Sequence, residues 1–328
     1  MEAIVMKGAE GFGLGRVEAT ARVEGGLSND MWHVTTTDGE FAMKVMRAHA
    51  ETAGFRGNVE AAFQIEMNAF RSGVPCPEPR ATPRGRALLR VDGHWLRAHR
   101  WHEGTTPDPS GHLSAAGTLL ARIHRAGHVA VRPIEDEPLG TWKWTALARR
   151  TGLPDHVSEQ LRHAAPNLAQ LESTTLAARG LPTAFVDSHG DLDPKNTLLA
   201  NGRLLAVDWD AAGPRSSARE AVSLSLDWSQ DATGFHQTLA TYTESSDQTI
   251  PAEPWVFGGW VQALSGWLAY NAEHRAHTRL GLRGSPPPVP GSSPCTKRST
   301  STCPPLRKTD HKKRPVSQVG NTTPPDAI

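Results

Sequence analysis

Three residues of this chain have the types and spacing to do chemistry together: Asp191, Asn196 and Asp208. Asp191 and Asn196 stand five positions apart in the polar stretch Ser188-His-Gly-Asp-Leu-Asp-Pro-Lys-Asn196. Asp208 comes seventeen positions after Asp191, where the apolar run Leu204-Leu-Ala-Val207 ends. Two carboxylates and an amide on loops at the ends of a hairpin are what a Mg·ATP phosphoryl-transfer site requires. One carboxylate orients and deprotonates a hydroxyl, and the other acid and the amide hold metal against phosphate oxygens.

Such a site needs a nucleotide cover, and the segments upstream read as one. Ala19–Val23 alternates like a strand, Gly25-Gly-Leu-Ser-Asn-Asp30 is a tight polar turn, and Met31–Thr36 and Phe41–Met46 flank an Asp38-Gly39 turn. A hairpin tip carrying Gly25, Gly26, Ser28 and Asn29 brings backbone N–H groups close to phosphate oxygens. Lys44 interrupts an apolar strand; the reading preferred here is a phosphate-binding cation over a lysine on a solvated face. Val59–Phe70 has helical spacing and ends at Ser72-Gly73 before Pro75, Pro77 and Pro79. Glu66, rather than Glu60, is the acid expected to pair with Lys44, against the alternative of two solvated helix acids. Arg86–Val91 and Trp95–His99 form another hairpin, and Arg100-Trp-His-Glu-Gly104 leads out of it along a nucleotide pocket. Gly11-Phe-Gly-Leu-Gly15 has neither the preceding strand nor the following helix of a dinucleotide fingerprint, and reads as a flexible lead-in.

The remainder reads as mostly helical: Leu113–Ala126, His156–Arg179 (one broken helix or two, because of Pro166), Arg215–Trp228 and Pro254–Arg279. The stripe Trp255, Trp260, Leu264, Trp267, Leu268 is read as core. From Gly284 onward Pro, Ser, Thr and Lys replace large apolar residues, a composition too polar to offset the entropy of ordering. The expected organisation is therefore a nucleotide-binding lobe (1–104), a catalytic and substrate lobe (105–283) and a disordered basic tail (284–328). That tail holds seven Lys and Arg against two Asp, whereas Thr105–Arg283 holds nineteen acids against fifteen bases. The body thus leans acidic although the whole chain is at +1, which argues against nucleic acid as a partner. No apolar run approaches the roughly 18 residues of a membrane span, Met1–Lys7 lacks the order of a secretory leader, and three cysteines form neither a metal pattern nor a disulfide framework. A cytoplasmic protein is expected. His99/His102 and His124/His128 lack the third ligand a zinc site needs.

With Gly25–Asp30, Lys44, His189-Gly-Asp191…Asn196 and Val207-Asp-Trp-Asp210 in view, the chain resembles the aminoglycoside phosphotransferase family, over roughly residues 19 to 280. The resemblance implies an α+β, protein-kinase-like two-lobed fold: an N-terminal antiparallel sheet with one helix, then a mostly helical lobe. It implies ATP and Mg²⁺ as cofactors, Asp191 as catalytic base, Asn196 and Asp208 as metal ligands, Lys44 on the α/β-phosphates with Glu66 supporting it, and the backbone of Arg100, Trp101 and His102 on the adenine. Two departures point away from a protein substrate. Asp193 stands where protein kinases acting on Ser and Thr carry a lysine, and no Ala-Pro-Glu follows Asp208. His189 is read as a loop-bracing residue, and Asp210 as either a support for the metal ligands or a bidentate helper. The activity implied is O-phosphorylation of a small hydroxylated molecule, an aminoglycoside or related antibiotic first, with Glu220, Asp227 and Glu273 as partners for its amines. A choline, homoserine or sugar kinase, or a nucleotide-binding module without turnover, are the alternatives.

Overall fold

The computed structural model describes residues 1–23, 29–47, 50–150 and 152–274. Gly25, Gly26, Ser28 and the 284–328 tail therefore lie outside the described residues. Met1–Ser285 make one compact unit.

The chain opens with a helix, α1 (Glu2–Phe12), which runs into the Gly11–Gly15 stretch where a flexible lead-in was expected. Its Val5, Ala9 and Phe12 are buried against the sheet. Gly13 closes it in the left-handed conformation that glycine adopts at helix ends. Gly8 lowers the helical signal but is where α1 comes closest to the sheet: a Cβ there would stand 2.5 Å from Leu96 Cδ2.

Next come β1 (Val17–Val23), β2 (Asp30–Thr36) and β3 (Gly39–Met46), an antiparallel meander. Helix α2 (Phe55–Arg71) follows, then β4 (Pro79–Arg80), β5 (Leu89–Val91) and β6 (His94–Arg100). The sheet runs β1-β2-β3-β6-β4, with β5 paired to β6. This half thus has six strands and two helices, where five strands and one helix were expected. The two-residue period of a strand sorts its side chains between faces. Phe41, Met43, Val45, Leu96 and Ala98 join the core under α1. Met46 and Trp95 join Phe55, Val59 and Phe63 of α2 on the other face. Lys44 and Arg97 share that second face, directly opposite each other in the β3–β6 register.

Beyond Gly104 the chain crosses to the site hairpin, Thr105 exchanging both backbone hydrogen bonds with Leu199 (3.1 and 2.8 Å). It continues through α3 (Leu113–Ala126), β7 (Val129–Pro133), α4 (Gly140–Ala148), α5 (Asp155–Thr175) and β8 (Pro182–Ser188). The hairpin β9 (Thr197–Ala200) and β10 (Arg203–Ala206) leads to β11 (Gly213–Ser216), then α6 (Ser217–Trp228), α7 (Ala232–Ser246) and α8 (Gly258–His274). Helix α5 runs unbroken through Pro166, because Pro166 and Arg162, whose carbonyl it leaves unpaired, both face solvent. The tryptophan stripe of α8 is only partly core. Val261, Ser265, Ala269 and Ala272 form the buried face and Trp267 is exposed. Among the described residues no helix is long and apolar enough to cross a membrane.

The main core gathers Leu119, Leu120 and Ile123 of α3, Trp209, Trp228 and Tyr242, together with Ala69 of α2. It depends on close approach of α3 to α7, where a Cβ on Gly117 would stand 2.5 Å from the Thr238 carbonyl oxygen and 3.0 Å from Tyr242 N. Both obstacles are backbone. Gly117→Ala is therefore expected to lower the unfolding free energy by about 1–3 kcal/mol through overpacking, against a helix-propensity gain of about 1 kcal/mol. Urea denaturation midpoints measure this; an unchanged or raised midpoint would mean that the helices do not meet at this glycine.

Candidate active site

The loop after β8 is fixed at several points before any ligand is considered. His189 is fully buried, and its Nε2–H donates to the Val207 carbonyl (2.9 Å). Burial holds its pKa below the ordinary histidine value despite that bond, so the ring is neutral and braces the loop. Gly190 has φ +82°, and a Cβ there would meet Ala211 O at 2.4 Å, so no other residue fits. Gly190 N–H donates to Glu220 Oε1 (2.9 Å). The other Glu220 oxygen takes His124 Nε2–H (2.9 Å), and His124 Nδ1 lies 2.8 Å from the Tyr242 hydroxyl. Burial opposes the Glu220 charge, but His124 and the Gly190 amide outweigh it and keep the carboxyl below its usual range. Glu220 is therefore committed to the loop and is not open to a substrate amine.

Asp191 stays exposed. Its Oδ2 accepts from Asn196 Nδ2 (2.7 Å), which also reaches the Asp191 carbonyl (2.9 Å). Asp193 caps the short turn Pro194–Asn196 by accepting from Asn196 N (3.0 Å). The Trp228 indole N–H holds Leu192 O (3.0 Å).

Asn196 and Asp208 are brought together by a tight hairpin. Asn201 (φ 50°) and Gly202 (φ 72°) make its two-residue turn, with the positive φ at both positions that such turns require. The register then closes with Thr197 opposite Ala206, and Val207 N donates to Asn196 O (3.0 Å). Asp208 follows in the left-handed region (φ 63°, ψ 60°), an unusual conformation for a residue with a side chain, and is exposed at the cleft.

Lys44 meets this loop. Its Nζ donates to Asp208 Oδ1 (2.6 Å) and Asp210 Oδ2 (2.8 Å), from residues more than 160 positions away. Burial works against its charge, but Asp210 and Asp208 overcome this and raise its pKa. The expected Lys44–Glu66 pair is not among the ion pairs of the described residues. Glu66 instead accepts from Arg97 Nη2 (2.5 Å) and His99 Nε2 (2.9 Å). The cause is the strand register: Arg97 sits beside Lys44 on the α2 face, and its guanidinium reaches the carboxylate of α2. Arg97 Nη1 also donates to Asp210 Oδ1 (2.5 Å). Burial disfavours the Asp210 charge, yet Lys44 and Arg97 hold its carboxyl well below the usual carboxylate range.

The other site residues fall as follows. Asn29 Oδ1 accepts from Arg47 N (2.9 Å), and Asp30 accepts from Arg22 (2.8 Å) and Arg47, clamping together the ends of β1, β2 and β3. The N–H groups of Arg100 and Trp101 already donate to Glu78 O (2.8 Å) and Glu40 O (3.0 Å). Of the three residues expected at the adenine, His102 alone keeps its backbone N–H open among the described residues. Lys195, overlooked in the sequence, pairs with Asp193 and sits 3.8 Å from Asp191 Oδ2, so a cation stands beside Asp191 although Asp193 replaces the lysine sought there. Arg97 and Tyr242 also escaped notice, and His99 and His124, weighed in the sequence only as zinc ligands, pair instead with Glu66 and Glu220. Burial, with Glu66 nearby, pushes the Cys76 thiol up to about 12, which makes it an inert core residue.

Oxygen donors suited to a hard divalent cation are present. Asn196 uses its amide nitrogen on Asp191, which turns its carbonyl oxygen away, and Asp208 commits one oxygen to Lys44. Two protein oxygens completed by phosphates and water match the way Mg²⁺ is usually held. Among the described residues no three His, Cys, Asp or Glu side chains form a metal set of their own.

A sequence model of the phosphotransferase enzyme family matches residues 20–252. Homoserine kinase of Methylobacillus flagellatus is 26% identical over 204 residues, covering 60% of this chain and 59% of that enzyme. Homoserine kinase of Polaromonas naphthalenivorans is 26% identical over 197 residues, covering 58% and 59%. The chain thus spans about three fifths of the length of the curated relatives it matches. Among solved structures, spectinomycin phosphotransferase APH(9)-Ia in complex with ADP and spectinomycin has a TM-score of 0.60 at 12% identity, covering 84% of this chain and 90% of that one. Choline kinase LicA from Streptococcus pneumoniae has a TM-score of 0.57 at 19% identity, covering 83% and 90%. At these identities the likeness is one of fold, the kinase-like phosphotransferase fold.

The loop brace makes a prediction about stability. Glu220→Ala strips a buried acceptor from Gly190 N–H and from His124, and breaking such a pair costs about 3–5 kcal/mol. The variant is expected to lose stability on that scale in chemical denaturation and to lose hydrogen-exchange protection at the Gly190 amide. Protection equal to wild type would show that Glu220 does not hold the loop.

Proposed function

The chain belongs to the phosphotransferase enzyme family, and from that premise we propose that it transfers the γ-phosphoryl group of ATP to a hydroxyl of a small molecule that also carries a positively charged nitrogen. The observation that carries the reading is the meeting of Lys44 with Asp208, within a hairpin's reach of Asn196 and Asp191. Mg·ATP, when bound, supplies the phosphoryl group and most of the charge that neutralises it.

The residues divide the remaining work. Asp191, exposed and steered by the Asn196 amide, orients the acceptor hydroxyl and takes its proton. Asn196 and Asp208 would hold Mg²⁺ through their remaining oxygens, Lys44 would pair with phosphate oxygens, and the His102 N–H would donate to the adenine. Lys195 offers positive charge beside the base. Positioning and charge neutralisation carry most of the catalysis in such a reaction.

For the acceptor, the supporting feature is Asp227. It lies at the end of α6 with its carboxylate accepting from the Trp260 indole (3.0 Å). The residue is exposed, yet neighbouring groups crowd its carboxyl. The lost hydration, opposed by the Trp260 bond and reinforced by Asp193 and Asp191, pushes its pKa up to about 6. An acid next to the catalytic loop suits a cationic nitrogen. Homoserine, choline and spectinomycin, named in the relatives and structural neighbours, are all amino alcohols.

Two outcomes follow. Purified protein with Mg·ATP and a panel of amino alcohols, sugars and aminoglycosides is expected to yield an acceptor heavier by one phosphate in mass spectrometry. Asp191→Asn should lower that rate by roughly 10²–10⁴ while nucleotide affinity holds; turnover that survives the change removes Asp191 from the role of base. For a cationic acceptor, Asp227 ionises as pH rises, so KM should fall by up to about tenfold per pH unit below about pH 6 and level off above it. Asp227→Asn should abolish that dependence. A KM profile that is the same in both proteins would place the amine elsewhere.

A further inference from the structure

We propose that Arg97 is the positioning residue of the nucleotide site, and that it holds Lys44 through Asp210 in place of a direct Lys44–Glu66 contact. The inference rests on the phosphotransferase reading above and concerns how this chain builds that site.

Two cations, Lys44 and Arg97, stand directly across from each other on one face of the sheet. Like charges in that position repel, and burying them without partners is costly. The fold resolves this with a single line of alternating charge. His99 Nε2 donates to Glu66 Oε1 (2.9 Å), and Glu66 Oε2 accepts from Arg97 Nη2 (2.5 Å). Arg97 Nη1 donates to Asp210 Oδ1 (2.5 Å), Asp210 Oδ2 accepts from Lys44 (2.8 Å), and Lys44 reaches Asp208 Oδ1 (2.6 Å). Glu66 and Asp210 each receive a different base on each oxygen, so neither can turn without breaking two links. Exposure is uneven along the line: the side chains of Glu66, Arg97 and Lys44 are 1%, 2% and 9% exposed, those of His99, Asp210 and Asp208 17%, 27% and 45%.

Those differences assign the parts. Arg97 is the rigid middle, because a guanidinium is planar, permanently charged and able to serve two carboxylates at once. Its fork ties α2, through Glu66, to the segment after β10, through Asp210. Lys44 is then anchored at Asp210 whatever Asp208 does, which leaves the exposed Asp208 free to turn to a metal. The sequence question about Asp210 is answered in the same step: its two oxygens are committed to Lys44 and Arg97.

The test is isothermal titration of the full chain with Mg·AMP-PNP, with far-UV circular dichroism to verify folding. Arg97→Lys keeps the charge but cannot span both carboxylates, and is expected to weaken binding at least tenfold. Lys44→Met should weaken it as well, and the double variant should bind about as weakly as the weaker single one, because both act on the same link. A purely structural arginine would lower the melting temperature but show independent, multiplicative losses with Lys44→Met. If Arg97→Lys does not fold, Asp210→Asn cuts the same link at a more open position and carries the same expectation. Binding within twofold of wild type in the folded variant, or multiplicative losses in the double variant, overturns the proposal and leaves the phosphotransferase reading standing. A wild-type chain that binds no Mg·AMP-PNP overturns both.

Discussion

The ammonium of Lys44 is a nearly buried charge on a β-strand, and it has to be neutralised from outside its own sheet. Its partners are Asp208 and Asp210, which stand 164 and 166 positions further along the chain. One requirement, that a buried cation be paired, therefore draws the N-terminal sheet onto the segment after β10 and closes the cleft between them. The main core follows the same path, with Ala69 of α2 packed beside Trp209, the residue between the two acids.

On the far side of the cleft, geometry comes from a short hairpin. The positive φ values at Asn201 and Gly202 set a two-residue turn, and the turn sets the register. With four residues in each strand, the positions just before β9 and just after β10 must lie side by side, and these are Asn196 and, one residue further, Asp208. A slip of one residue would turn β10 over against β9, taking Leu204 and Ala206 out of the core and Asn196 and Asp208 apart. Apolar packing thus protects a polar spacing.

Much of this was legible in the sequence because it is local. The Asp191–Asn196 loop and the apolar run before Asp208 lie within one hairpin's length, and Lys44 stands out in an apolar strand. Helix α3 was read with its observed bounds, Leu113–Ala126, because apolar spacing and a terminal glycine agree there. What escaped depends on contacts between distant segments. Arg97, in Trp95-Leu-Arg-Ala-His99, alternates as a solvated strand residue would, and nothing nearby reveals that α2 covers that face. Glu66 was expected to pair with Lys44 but meets Arg97 and His99, because strand register rather than sequence spacing decides which base it reaches. Helix α1 was obscured by Gly8 and Gly11, yet Gly8 is what lets it lie close to Leu96 and Met43. Helix α7 went unread although its Tyr242 is central to the core.

Helix α6 illustrates why catalysis and substrate choice are written differently into one fold. Glu220 and Asp227 are seven residues apart, two helical turns, and so share a face. The sequence treats them alike, as acids available to an amine. Packing separates them. Glu220 lies under the loop, saturated by Gly190 N–H and His124, and its ionised state is favoured by those partners. Asp227 lies at the rim, opposed by the charges of Asp193 and Asp191 and held by one indole N–H. The first acid fixes the loop that carries Asp191, and any change to it disturbs the loop itself. The second makes its hydrogen bond to Trp260 and not to the loop. A family that keeps the first position and alters the rim preserves phosphoryl transfer while changing the alcohol that receives it, and the residues that identify the chemistry therefore say little about the acceptor.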